Sequence, residues 1–172
     1  MEQLIKDLLT FSRVVHPEQE PARAADLDRS LDQALSVLRV RMEETGAILR
    51  RSQLPVVWGD ERQLALVFQN VLSNALKYRR TELTPVIEIA AEMVDREWVI
   101  SVSDNGIGFH PEHSVRIFGL FKRLHKEAYP GTSLGLAISQ RIVERYGGRI
   151  WATSQGEGSG ATFFFSLHAP NQ

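Results

Sequence analysis

An α/β fold is the expectation for this 172-residue chain, and three observations carry it. Apolar residues recur at helical spacing in several separate stretches, short strand-like runs stand between them in hairpin-like pairs, and glycine-rich segments punctuate the two. With 43% hydrophobic and 24% charged residues, the composition is that of a globular chain with one main domain. The formal net charge of -1 and the lack of any Lys/Arg run longer than two residues give no general attraction to nucleic acid or to an anionic membrane. The absence of cysteine rules out a disulfide framework and thiolate metal sites. No apolar stretch approaches the roughly 20 residues that span a bilayer, and Met1-Glu2-Gln3 opens an amphipathic segment, so a soluble, cytoplasmic chain is expected.

Leu4, Leu8, Phe11 and Val15 recur at spacings of four, three and four, a heptad seam on a helix that stops near His16-Pro17. Residues 17–26, with two prolines and several charges, read as a linker, after which Leu27, Leu31, Leu35, Leu38 and Met42 mark a second helix ending at Gly46. Residues 47–51 and 56–58 read as short strands. Asp60 then caps a helix, with Gln63 in the position that completes a capping box. On it Leu64, Val67, Phe68, Val71, Leu72 and Ala75 form the buried stripe, and Asn70, Asn74, Lys77 and Tyr78 border it at i, i+4, i+7 and i+8. Residues 86–94 and 98–104 read as a hairpin across Asp95-Arg96-Glu97. Residues 105–135 are rich in glycine, charge and aromatics, with a short helical piece over 115–124, a span long enough to serve as a functional lid. A helix over 136–146 ends at Gly147-Gly148, and 149–154 pairs with 161–167 across a glycine-rich turn.

Asn70 and Asn74, one helical turn apart, can both offer carbonyl oxygens to a hard cation such as magnesium. Lys77 can bring an ammonium to the same place, and Tyr78 an aromatic face. Taken alone, the stripe is more simply a solvated helix face, since polar residues beside a core stripe are the norm on a surface helix. Asp104, at the end of a strand, can accept from the exocyclic amine of adenine, where guanine offers an acceptor instead; Asp-Asn-Gly is also a common turn sequence whose side chains bond their own backbone. Gly108 and then Gly131-Thr132-Ser133-Leu134-Gly135 at a helix start favour a phosphate, because free backbone amides and the helix dipole converge there. Lys122, Arg123 and Lys126, with Phe118 and Phe121, stand between them. Gly156, Gly158 and Gly160 precede a strand rather than a helix and read as a turn. There is no P-loop sequence. Of the five histidines, His110 and His113 lack a third spaced ligand, and none sits in a pattern suited to accept a phosphoryl group.

Taken in order, Asn70/Asn74/Lys77/Tyr78, Asp104-Asn105-Gly106-Ile107-Gly108-Phe109, Ile117-Phe118-Gly119-Leu120-Phe121-Lys122-Arg123-Leu124, Gly131-Thr132-Ser133-Leu134-Gly135-Leu136 and Gly158-Ser159-Gly160-Ala161-Thr162-Phe163 resemble the boxes of the sensor histidine kinase ATP-binding domain, of the GHKL or Bergerat-fold superfamily. Phytochrome-like and PAS-linked kinases are the nearest subgroup. The resemblance covers residues 27–167, and residues 1–16 look like the end of a dimerisation and phosphoacceptor helix.

The resemblance implies an α/β two-layer sandwich, a mixed sheet of about five strands with three helices on one face, and ATP with Mg2+ held between the helices and a lid. It implies that Asn74, with Asn70, holds the metal, that Lys77 and Arg123 meet phosphates, that Tyr78 lines the base and that Asp104 reads adenine. Gly106 and Gly108 would shape the pocket floor, with Phe121 and Leu124 beside it. Ser133, Leu134, Gly135 and Leu136 would form the phosphate-facing end of the lid, and Thr162 would support Asp104 through a water. The implied partners are a phosphoacceptor helical hairpin of the full-length kinase and a response regulator, with the fragment a monomer and the full kinase a homodimer.

Two departures stand out. Ser133 replaces the middle glycine of the usual lid motif, which restricts the backbone there. No phosphoacceptor histidine box is present, so phosphotransfer needs a second chain or segment. The rival expectations are a non-catalytic nucleotide-binding or interaction module, which Ser133 motivates, and a free-standing ATPase or protein-serine kinase, which Asn70 argues against because an amide is no general base.

Overall fold

The computed structural model describes residues 2–15, 21–119 and 134–170. Its elements run in the order α1 (Glu2–Val15), β1 (Arg23–Asp26), α2 (Leu27–Thr45), β2 (Ile48–Arg51), β3 (Val56–Gly59), α3 (Glu61–Lys77), β4 (Val86–Val94), β5 (Glu97–Asp104), α4 (Leu134–Arg145), β6 (Ile150–Thr153) and β7 (Ala161–His168), with single 3-10 turns at Pro111–His113 and Arg116–Phe118. Five strands make one mixed sheet in the order β2-β4-β5-β7-β6, in which only the β2–β4 pair is parallel. The helices α2, α3 and α4 cover one face, giving the expected two-layer sandwich.

Alternation along the strands fixes which face is covered. Ile87, Ile89, Ile100, Val102, Phe163, Phe165 and Leu167 are buried against the helices, where the Phe68 ring meets Phe165 edge-on at 5.4 Å. The partners Ser103 and Thr162, and Trp151 and Phe164, lie on the other face, the latter pair stacked at 5.3 Å. The β4–β5 hairpin turns on two residues rather than three, Asp95 and Arg96, both with positive φ, so Val94 pairs with Glu97 and the strand begins one residue before Trp98.

Three expectations change in detail. Arg23–Asp26, read as the end of a linker, is a strand: it pairs antiparallel with β3, and Ala25 is fully buried. Alanine and charge at positions 23–26 hide the strand from a hydrophobicity reading. Asp60 caps α3 by accepting from the N–H groups of Arg62 and Gln63, but the Gln63 side chain does not close a capping box. Its amide oxygen instead accepts from the Tyr146 hydroxyl at 2.8 Å and from Arg145, tying the start of α3 to the end of α4. The α1 seam is only half used: Leu4 and Phe11 pack on the core as α1 lies along α4, while Leu8 is 43% exposed. The Val15 side chain lies outside the described residues. Among the described residues, no helix is long and apolar enough to cross a membrane.

Candidate nucleotide site

The helical register of α3 puts its apolar stripe, from Leu64 to Leu76, into the core and leaves Asn70, Asn74 and Lys77 half-buried along one side. The Asn70 amide nitrogen donates to the Gly135 carbonyl at 2.8 Å and to the Ser139 hydroxyl at 3.1 Å, joining α3 to the first turns of α4. The side chain of Asn74 has no hydrogen-bond partner among the described residues. The Lys77 ammonium lies 5.1 Å from the centre of the Tyr78 ring.

Asp104 is on the inner face at the last register of β5, opposite Ala161 on one side and Ile87 on the other. One carboxylate oxygen, Oδ1, accepts from the Gly106 N–H at 2.8 Å and the Ala161 N–H at 3.3 Å. The turn interaction expected of Asp-Asn-Gly is therefore present, yet it occupies a single oxygen; Oδ2 has no donor among the described residues. Burial raises the carboxyl to about 6, against the lowering effect of those two N–H donors. This partly buried carboxylate has one oxygen fixed by backbone donors and a second with capacity to accept.

The loop after Asp104 is held from three sides. The Asn105 side chain accepts from Val86 N–H at 2.9 Å and donates to the Thr84 carbonyl, and its backbone carbonyl accepts from Arg80. Ile107 N–H donates to the Tyr78 carbonyl at 2.9 Å, so the C-terminus of α3 and the loop share a backbone bond. Gly106 has to be glycine here, since a Cβ would sit 2.6 Å from that same Tyr78 oxygen. Gly108, at φ +65°, faces the glycine turn before β7, where a Cβ would lie within 2.7 Å of Gly156 O, Gly160 O and Ser154 Oγ.

Sequence reasoning missed four residues of this frame. Ser154 accepts from Phe109 N–H at 3.0 Å and donates to the Gly160 carbonyl at 2.7 Å, clasping the loop to the glycine turn. Asn105, Ser139 and Ala161 are the others. A serine two residues before Gly-x-Gly-x-Gly is the one signal that was available for Ser154.

Three predicted roles shift. Thr162 lies on the outer face and its hydroxyl bonds Ser103 at 2.8 Å, because period-two alternation assigns Asp104 to Ala161 instead; support for Asp104 comes from a backbone N–H. The helix α4 begins at Leu134, two residues earlier than expected, and Leu134 and Leu136 are buried in the core. Phe118 is likewise a core residue, edge-on to Phe163 at 6.2 Å. Phe121, Lys122, Arg123, Leu124, Lys126, Gly131, Thr132 and Ser133 lie outside the described residues. Among the described residues, no group of three or more His, Asp or Glu side chains is placed to hold a metal.

The family described as histidine kinase-, DNA gyrase B-, and HSP90-like ATPase matches residues 59–171, the segment that holds every site residue above. The chain belongs to this ATPase family. Within it the chain is a histidine kinase ATP-binding domain: it is 45% identical over 168 residues to cyanobacterial phytochrome A of Nostoc sp. (strain PCC 7120), covering 97% of this chain and 22% of that protein. It is 35% identical over 173 residues to the methanogenesis regulatory histidine kinase FilI of Methanothrix harundinacea, covering 99% of this chain and 19% of that protein. The crystal structure of full-length ShkA in complex with AMPPNP superposes with a TM-score of 0.81 at 28% identity, covering 98% of this chain and 36% of ShkA. The chain thus spans about a fifth of the length of these curated relatives.

Proposed function

We propose that this ATPase-family domain binds ATP with Mg2+ and transfers the γ-phosphoryl group to a histidine on a helical hairpin outside the chain, as the catalytic module of a two-component sensor kinase. The observation that carries the reading is the Asp104 carboxylate, partly buried, anchored through one oxygen and without a donor among the described residues at the other. The amine of adenine would donate to Oδ2, and a guanine carbonyl there would meet a like-signed acceptor.

The amide oxygens of Asn70 and Asn74 suit a hard cation in kind and spacing: the nitrogen of Asn70 is committed to Gly135 and Ser139, which leaves its oxygen as the end that can coordinate. Magnesium there would neutralise charge developing on the transferred phosphoryl group. Lys77 would hold the phosphates, and Tyr78 the edge of the base. Asn70 cannot take a proton from water, so hydrolysis without a phosphoacceptor is expected to be slow and catalysis to rest on positioning. A response regulator would take the phosphoryl group onward. The module is proposed to work in the cytoplasm, a monomer alone and part of a homodimer in the full kinase.

The test is transfer of label from γ-labelled ATP to a phosphoacceptor hairpin supplied as a separate chain. Labelled hairpin with little free phosphate supports the reading. Tight ATP binding with no transfer favours the non-catalytic module, for which Ser133 in the lid motif is the motivating observation; rapid ATP turnover without hairpin favours a free-standing ATPase.

A further inference from the structure

The polar contacts between α3 and α4 form a directed chain. Ser139 is fully buried, and its hydroxyl donates to the Gly135 carbonyl at 3.0 Å, the i−4 position of its own helix. The lone pairs left on that hydroxyl face the Asn70 amide nitrogen at 3.1 Å, and the same nitrogen donates to Gly135 O at 2.8 Å. Two acceptors therefore converge on one end of the Asn70 carboxamide. Gly135 O can only accept, so a flipped amide would set two oxygens against each other.

Gly135 also clears the other end. A Cβ at this position would lie 3.3 Å from Asn70 Oδ1, closer than such contacts ordinarily run, so a side chain would press on that oxygen. One residue thus accepts from the nitrogen through its carbonyl and leaves the oxygen uncrowded.

We infer that Gly135 and Ser139 are positioning residues that fix the orientation of the Asn70 amide, so that position 70 presents an oxygen to the cation of the nucleotide while its nitrogen holds α4. Position 70 is then an amide by necessity, because a carboxylate would satisfy the cation but would press one oxygen on the Gly135 carbonyl. The inference rests on the nucleotide-binding reading above and adds to it the device that orients one ligand.

The test is ATP binding by calorimetry, with Mg2+ and with EDTA, for the parent chain, Ser139→Ala and Asn70→Asp, with the melting temperature of each recorded. Ser139→Ala is expected to weaken binding about threefold or more with Mg2+ and to leave binding in EDTA unchanged. Asn70→Asp is expected to weaken Mg2+-dependent binding about fivefold or more, despite its added negative charge, and to melt below the parent. Tighter Mg2+-dependent binding by Asn70→Asp, or a Ser139→Ala loss that is the same with and without Mg2+, overturns the inference while leaving the nucleotide reading intact. A parent chain that binds no ATP in either condition removes the nucleotide reading; equal melting temperatures for Asn70→Asp and the parent would then remove the amide constraint too.

Discussion

Asp104 and Ala161 face one another across β5 and β7, and the Ala161 N–H donates to the same carboxylate oxygen that takes the Gly106 N–H. The last rung of the ladder and the first turn beyond it thus hold one oxygen in place. In the proposed function the second oxygen carries the recognition of adenine, and its availability depends on the protonation of a partly buried acid.

The Asp104 carboxyl is predicted to titrate near pH 6 in the free chain, raised by burial from an ordinary value of 3.8. The native state then holds this proton more tightly than the unfolded chain. Its contribution to stability is complete below about pH 4 and lost as pH rises through 6, roughly 3 kcal/mol at most. ATP needs the ionised acceptor, so saturation with ATP is expected to move the midpoint below that of the free chain. Carboxyl carbon shifts followed by NMR across pH 4 to 8 check both statements. An unmoved midpoint would place adenine away from Asp104.

Ser154→Ala removes the clasp between the loop after β5 and the glycine turn, leaving the Phe109 N–H without its acceptor. The expected cost is about 1–3 kcal/mol in denaturant unfolding. ATP affinity should fall with it, since the loop it frees carries Gly106 and Gly108. Ser154→Thr, which keeps the hydroxyl, should recover part of the loss, and a variant as stable as the parent would show that the clasp carries no weight.

Gly106→Ala forces a Cβ against the Tyr78 carbonyl, a backbone atom that cannot swing aside. A loss of about 1–3 kcal/mol is expected, together with a broken Ile107 to Tyr78 bond. Faster amide exchange at Ile107 would report it directly, and unchanged exchange would contradict the close approach.

Most of the scaffold was legible because its periods are clean. Val67, Phe68, Val71 and Leu72 announce α3 by spacing alone, and the alternation through Ile100 and Val102 announces β5. What escaped depended on partners distant in sequence. Arg23–Asp26 is a strand because β3 lies beside it, and Gln63 leaves its cap because Tyr146 arrives from α4. Thr162 was placed one residue out of register with Asp104, and in a strand one residue is the difference between the two faces of the sheet. Of the site, Asp104 and Gly106 could be read from one loop; Ser139 could not, since a lone serine in an apolar helix declares no partner.

The central claim is that Asp104 reads adenine, and calorimetry of Mg2+-ATP against the parent chain and Asp104→Asn tests it most directly. In the variant the amide oxygen can keep both N–H donors, which puts an amine where adenine needs an acceptor. The prediction is binding by the parent that weakens tenfold or more in Asp104→Asn, a loss of at least about 1.4 kcal/mol, with the variant no less stable than the parent at pH 7. Equal affinity for the two chains would contradict it.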